Sequence, residues 1–156
     1  MLLAESANGP IGETDSEKAF CHILNSLESA RVELGIPILE TNRIADYISR
    51  ISLELRELGP FNFILSNGAE VFAHGHIRTQ KNGELRDPGL YVLSRNCTYA
   101  KDMESISGLS FSYKDSELQQ NVILVASVPL TNEPWVPLAK GEIVQIKDGV
   151  IINSSL

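Results

Sequence analysis

Phe61-Asn62-Phe63-Ile64-Leu65-Ser66-Asn67-Gly68-Ala69-Glu70-Val71-Phe72-Ala73-His74 is where the chain changes its hydrophobic period. Two short runs rich in aromatic and aliphatic residues flank Asn67-Gly68, so residues 61–66 and 69–74 read as a β-hairpin. Asn-Gly suits a two-residue type I′ turn, in which both central residues take positive φ. In that register Phe61, Phe63, Leu65 and Phe72 share one face, and Ile64, Val71 and Ala73 share the other. Both faces are largely apolar, which implies a sheet covered on both sides.

Upstream of the hairpin the period is helical. Thr14-Asp15-Ser16-Glu17 has the form of a capping box, with Thr14 as N-cap and Glu17 reaching back from three residues later. Asp15 and Glu17 also complement the positive end of a helix. Ala19, Phe20, Ile23, Leu24 and Leu27 recur at helical spacing and predict a buried face, with the helix stopping near Gly35, ahead of Pro37. A second helix is predicted over residues 41–58, its stripe made by Ile44, Ile48, Ile51, Leu55 and Leu58 and its end by Gly59 and Pro60.

Downstream the chain stays mostly extended. Residues 76–88 are polar and read as a loop, 90–93 as a strand, and 122–128 as a buried strand. Residues 96–120 show no clear period. A long loop over 129–141 holds the single tryptophan, Trp135. Residues 142–147 and 150–152, joined by Asp148-Gly149, read as a closing hairpin. Helices first and strands after argue for an α+β fold, with helices against a sheet and that sheet against another.

Composition narrows the function classes. The chain has 156 residues, 43% of them hydrophobic, enough for one domain with a core and too few for two. Its net charge of −7 repels phosphate backbones and anionic membranes, so no nucleic-acid or membrane role is expected. No apolar run reaches the roughly 18 residues of a membrane span. Met1-Leu2-Leu3-Ala4-Glu5 turns acidic at once, unlike a secretory signal. Cys21 and Cys97 stand far apart, in neither a disulfide framework nor a zinc pattern, and suit a reducing cytoplasm.

Three blocks carry a family resemblance. Pro10-Ile11-Gly12-Glu13-Thr14-Asp15-Ser16-Glu17-Lys18-Ala19-Phe20-Cys21 resembles the aspartate motif that opens a helix in class II glutamine amidotransferases, above all the small stand-alone bacterial type. Residues 61–68 resemble that group's Asn-Phe-hydrophobic-Leu-Ser-Asp/Asn-Gly hairpin. Val125-Ala126-Ser127-Val128-Pro129-Leu130-Thr131, then Trp135, Leu138 and Gly141-Glu142, resemble its C-terminal signature. The blocks keep family order from residue 10 to residue 150.

The resemblance implies an αββα sandwich of the N-terminal-nucleophile type, with residues 1–156 forming the C-terminal portion of one amidotransferase domain and the N-terminal strands missing. It implies hydrolysis of glutamine to glutamate and ammonia, with an N-terminal cysteine attacking the amide and its own α-amino group as base. An Asn-Gly pair supplies oxyanion contacts in the family. No cofactor and no metal are implied. Asp15 matches the aspartate that binds the substrate's α-ammonium; taken without the family, the same residue reads as a charge placed at a helix N-terminus.

The nucleophile has no counterpart here. Leu2 follows Met1, Cys21 falls on the first helix beside Phe20 and Ile23, and Cys97 lies in or after a strand. Asn8-Gly9 stands too close to Asp15 to match the family's oxyanion pair and reads as a turn. The chain is therefore expected to be inactive alone, completed by a missing N-terminal segment or a partner chain. The alternative is a non-catalytic module that binds an amino acid or a partner, and open sheet edges predict self-association.

Other candidates have plainer readings. His74 and His76 form a His-x-His pair that fits two metal ligands, yet no third ligand is spaced to join them, and they read as hairpin-end histidines near solvent. Arg78, Lys81 and Arg86 read as a solvated basic loop. Ser66 and Ser127 lack His and Asp partners for hydrolase chemistry. Trp135 reads as a core plug.

Overall fold

The computed structural model describes residues 9–36, 41–97 and 120–156. The opening residues, Asn8 of the Asn8-Gly9 pair and most of the unclassified stretch 96–120 lie outside the described residues. The chain is α+β, as its order of periods predicts, and divides into two compact units, Met1–Gly59 and Pro60–Leu156.

The first unit holds two helices packed on each other, α1 (Asp15–Leu34) and α2 (Thr41–Arg56). Gly35 ends α1 at φ 65°, its N–H donating to Val32 C=O and the Ile36 N–H to Arg31 C=O, which satisfies carbonyls the helix leaves open. On α1 Ile23 and Ala30 are buried, Ala19, Leu24 and Leu27 are half-buried, and Phe20 is exposed, so the predicted stripe is narrower than its spacing indicates. On α2 Ala45, Ile48, Ile51 and Ser52 are buried. Ser52 tolerates burial because its Oγ donates to Ile48 C=O one turn back, at 2.7 Å. The helix ends before Leu58, where tighter i→i+3 bonds take over and leave that residue exposed.

The second unit is antiparallel throughout. One sheet runs β1 (Phe63–Ser66), β2 (Val71–His74), β8 (Ile143–Lys147), β9 (Val150–Ser155); another runs β6 (Gln120–Ala126), β5 (Tyr91–Cys97), β7 (Val136–Pro137). Their inner faces share a core of Ala73, Val144 and Ile146 from the first with Leu90, Val92 and Leu138 at the second, flanked by Val71, Ile123 and Val125. The pairings Phe63↔His74 and Leu65↔Phe72 put the predicted residues on the opposite face. That face is buried too, at Phe72, His74, Ile143 and Gln145, so β2 and β8 are covered on both sides; Ile64 on β1 is exposed, so the predicted double cover does not reach that edge strand.

Three local expectations change. The first hairpin does not close on Asn67-Gly68. Asn67 N–H donates to Glu70 C=O, and the central pair is Gly68-Ala69, with Gly68 at φ 90°. The cause is the Asn67 side chain, whose Oδ1 accepts from the N–H groups of Ala69 and Glu70 and holds its own backbone out of the left-handed region. Residues 76–88 contain a small ribbon, β3 (Arg78–Thr79) with β4 (Leu85–Arg86), and the loop around Trp135 lends β7 to the edge of β5. The closing hairpin stands as predicted: Asp148 (φ 49°) and Gly149 (φ 73°) are both left-handed, as a type I′ turn requires.

No helix among the described residues is long and apolar enough to cross a membrane.

Candidate functional site

The helix start that carries Asp15 is tied down by its own side chains. Thr14 is extended at φ −71°, ψ 142°, and its Oγ1 accepts from Glu17 N–H at 3.3 Å, the expected N-cap bond. Glu17 reaches further back than a capping box predicts. Its carboxylate accepts from Ile11 N–H at 2.8 Å and from Gly12 N–H at 2.9 and 3.1 Å, rather than from Thr14. A Cβ on Gly12 would stand 2.5 Å from Glu17 Oε2, so the close approach needs a glycine. The N–H bonds of Gly12 and then Ile11 hold the Glu17 carboxyl below its usual range, so the clamp is charged at neutral pH.

Asp15 sits inside this clamp and faces water. One carboxylate oxygen accepts from Ser16 N–H at 2.9 Å. Glu13 and Asp15 are both exposed acidic residues at this helix end, the Glu17 carboxylate is taken up by Ile11 and Gly12, and the N–H groups of Ser16 and Glu17 are already bonded to side chains. The arrangement suits a cation, such as an ammonium, better than an anion.

The remaining sequence candidates separate cleanly. Cys21 is half-buried in the middle of α1, and Cys97 ends β5. His74 and His76 are not near solvent: both are buried, with ring centroids 6.5 Å apart, and His74 lies against Phe61 and Phe63. The apolar faces that bury the hairpin carry its end inside as well. His76 Nδ1 accepts from Phe61 N–H at 3.3 Å, while Asn62 bonds the backbone of His76 and Ile77. No group of three or more His, Cys, Asp or Glu side chains among the described residues is arranged to hold a metal. In the basic loop Lys81 and Arg86 are exposed, but Arg78 is half-buried. The Ser66 hydroxyl is spent on the turn, donating to Glu70 C=O and accepting from Gly68 N–H. Trp135 is buried, and its indole N–H donates to Thr131 Oγ1 at 3.0 Å.

Two arrangements had no clear signal in the sequence. Arg95 grips the Glu133 carboxylate through Nε at 2.7 Å and through a second guanidinium nitrogen, and Thr131 donates to the same carboxylate, bracing the Trp135 loop on β5. The partners are 38 residues apart, beyond any local spacing rule. Glu70 is a buried carboxylate met by Gln145 and Lys147.

The family model of class-II glutamine amidotransferases matches residues 3–155. The chain is 29% identical over 147 residues to an uncharacterised protein of Methanocaldococcus jannaschii, covering 94% of this chain and 38% of that one. It is 30% identical over 137 residues to a provisionally assigned glutamine amidotransferase of Escherichia coli, covering 85% of this chain and 48% of the relative. The crystal structure of a predicted glutamine amidotransferase from Pseudomonas aeruginosa shares the fold, with a TM-score of 0.66 at 24% identity, over 98% of this chain and 55% of that one. The chain thus spans less than half the length of these two curated relatives.

Proposed function

The chain belongs to the class II glutamine amidotransferases, and from that premise we propose that it serves the release of ammonia from the glutamine side-chain amide, with Asp15 binding the substrate's α-ammonium. The observation that carries this reading is the position of Asp15: a water-facing carboxylate on a clamped helix start, inside the motif that resembles the family's substrate-binding aspartate. Its chemistry selects free amino acids, because a peptide-bonded glutamine has no α-ammonium to offer.

We assign no nucleophile within these residues. Cys21 stands mid-helix and Cys97 at a strand end, and neither can pair its thiol with its own α-amino group. The expectation is that these 156 residues do not turn over glutamine by themselves. The test is ammonia release from glutamine by this chain alone, and by this chain joined behind a segment whose cysteine becomes N-terminal once methionine is removed. Activity only in the joined form supports the proposal; no activity in either form counts against the reaction.

The same placement of the cysteines favours a second reading, in which Asp15 holds an amino acid without turnover. Calorimetric heat from glutamine with no glutamate formed, in the joined form as well, would single it out. Self-association, in a reducing cytoplasm, remains part of the proposal, and a size-exclusion profile with a clean monomer peak would remove it.

A further inference from the structure

We propose that Glu17 is the positioning residue for Asp15, acting through the loop over residues 11–17 and never touching the ligand. The proposal rests on the reading of Asp15 as an ammonium anchor. Asp15 lies between the two ends of a bridge: the Glu17 carboxylate binds the N–H groups of Ile11 and Gly12, while the Glu17 N–H is bound by Thr14 Oγ1. Glu17 thus fixes the backbone on both sides of Asp15, from four residues before it to two residues after it.

Three features separate this from ordinary capping. A capping box returns its carboxylate to the N-cap N–H, whereas Glu17 passes over Thr14 to residues five and six positions back. The approach uses the bare Cα of Gly12 as its contact surface. Moreover, Glu17 has its two carboxylate oxygens engaged by these N–H groups, so its charge is directed at the loop and Asp15 presents the outward carboxylate. Neither Ile11 nor Gly12 is held by burial, since both are exposed, so the carboxylate is what orders them.

The test uses the full 156-residue chain, labelled with nitrogen-15, and follows the amides of Gly12 and Ser16. Titrants are L-glutamine and 4-carbamoylbutanoic acid, which is glutamine without the amino group. Wild type is expected to prefer glutamine roughly tenfold, the worth of one charge-assisted bond. Glu17→Ala is expected to bring that ratio close to one while helix content is retained. Gly12→Ala is expected to do the same, because its methyl displaces the flexible Glu17 carboxylate and not the backbone. Glu17→Gln, which keeps one accepting oxygen, should recover part of the preference. A purely structural role would weaken both titrants equally and leave their ratio unchanged, which would overturn the proposal. If Asp15→Asn abolishes the preference and Glu17→Ala does not, Glu17 is not the positioning residue, while the assignment of Asp15 stands. If wild type shows no preference, the ammonium reading fails and this inference with it.

Discussion

The Gln145 side-chain amide donates to the Glu70 carboxylate at 2.9 Å, linking residues 75 apart in sequence, both almost wholly removed from water. The β2–β8 pairing brings them together, with Val71 opposite Ile146 and Phe72 opposite Gln145. Lys147 Nζ, 3.3 Å from the other carboxylate oxygen, supplies the counter-charge. Removing Glu70 or Gln145 deprives its buried partner of this bond, whereas Lys147 is half exposed and can turn to water. Glu70→Ala should cost about 2 kcal/mol, the penalty of a buried polar group left unsatisfied. The double variant Glu70→Ala/Gln145→Leu should cost less than the sum of the two single changes, because neither partner is then left over. Urea unfolding of the four proteins measures the coupling.

The brace on the Trp135 loop should carry an acid dependence. The hydrogen bond from Arg95, and after it that from Thr131, holds the Glu133 carboxyl below its usual range. A lowered folded-state value contributes stability above the unfolded value near 4.5 and loses it as pH falls through the lowered one. Glu133→Gln should therefore lower the melting temperature at pH 7 and flatten its decline in acid. Because Trp135 is the only tryptophan, its fluorescence reports this loop alone. Equal acid slopes in the variant and the parent would exclude the brace as the source.

How much of this was legible in the sequence depends on the range of each interaction. Thr14, Gly35 and Asp148-Gly149 act within a few residues, so cap, stop and closing turn follow from spacing. Asn67-Gly68 misled because Asn67 satisfies two N–H groups with its side chain, which a turn rule based on φ preference does not weigh. His74 and His76 misled for another reason: polarity placed them near water, whereas His74 packs against Phe61 and Phe63, His76 lies against His74, and both are buried. Of the candidate site, the motif singles out Asp15, whose ligand role is the proposal, but the path of Glu17 to Ile11 and Gly12 has no signal in the sequence, because it depends on how the loop folds back.

The closing hairpin offers a sharp steric test. Gly149 is left-handed, and a Cβ there would stand 2.0 Å from Asn121 C=O on β6. Gly149→Ala meets both backbone and conformation, so it should destabilise by about 2 kcal/mol or more. Asp148→Gly, at the neighbouring left-handed position, should shift stability by less than about 1 kcal/mol. Thermal melts of both variants decide the matter, and similar losses in the two would contradict the close packing of β6 on this turn.

The most direct measurement of the central claim is the KM for glutamine of the cysteine-completed protein, with Asp15 and with Asp15→Asn. The account predicts a rise of roughly tenfold or more in the variant, the loss of a charge-assisted bond to the α-ammonium, at unchanged thermal stability. An unchanged KM would contradict it and return Asp15 to the role of a charge at the end of a helix.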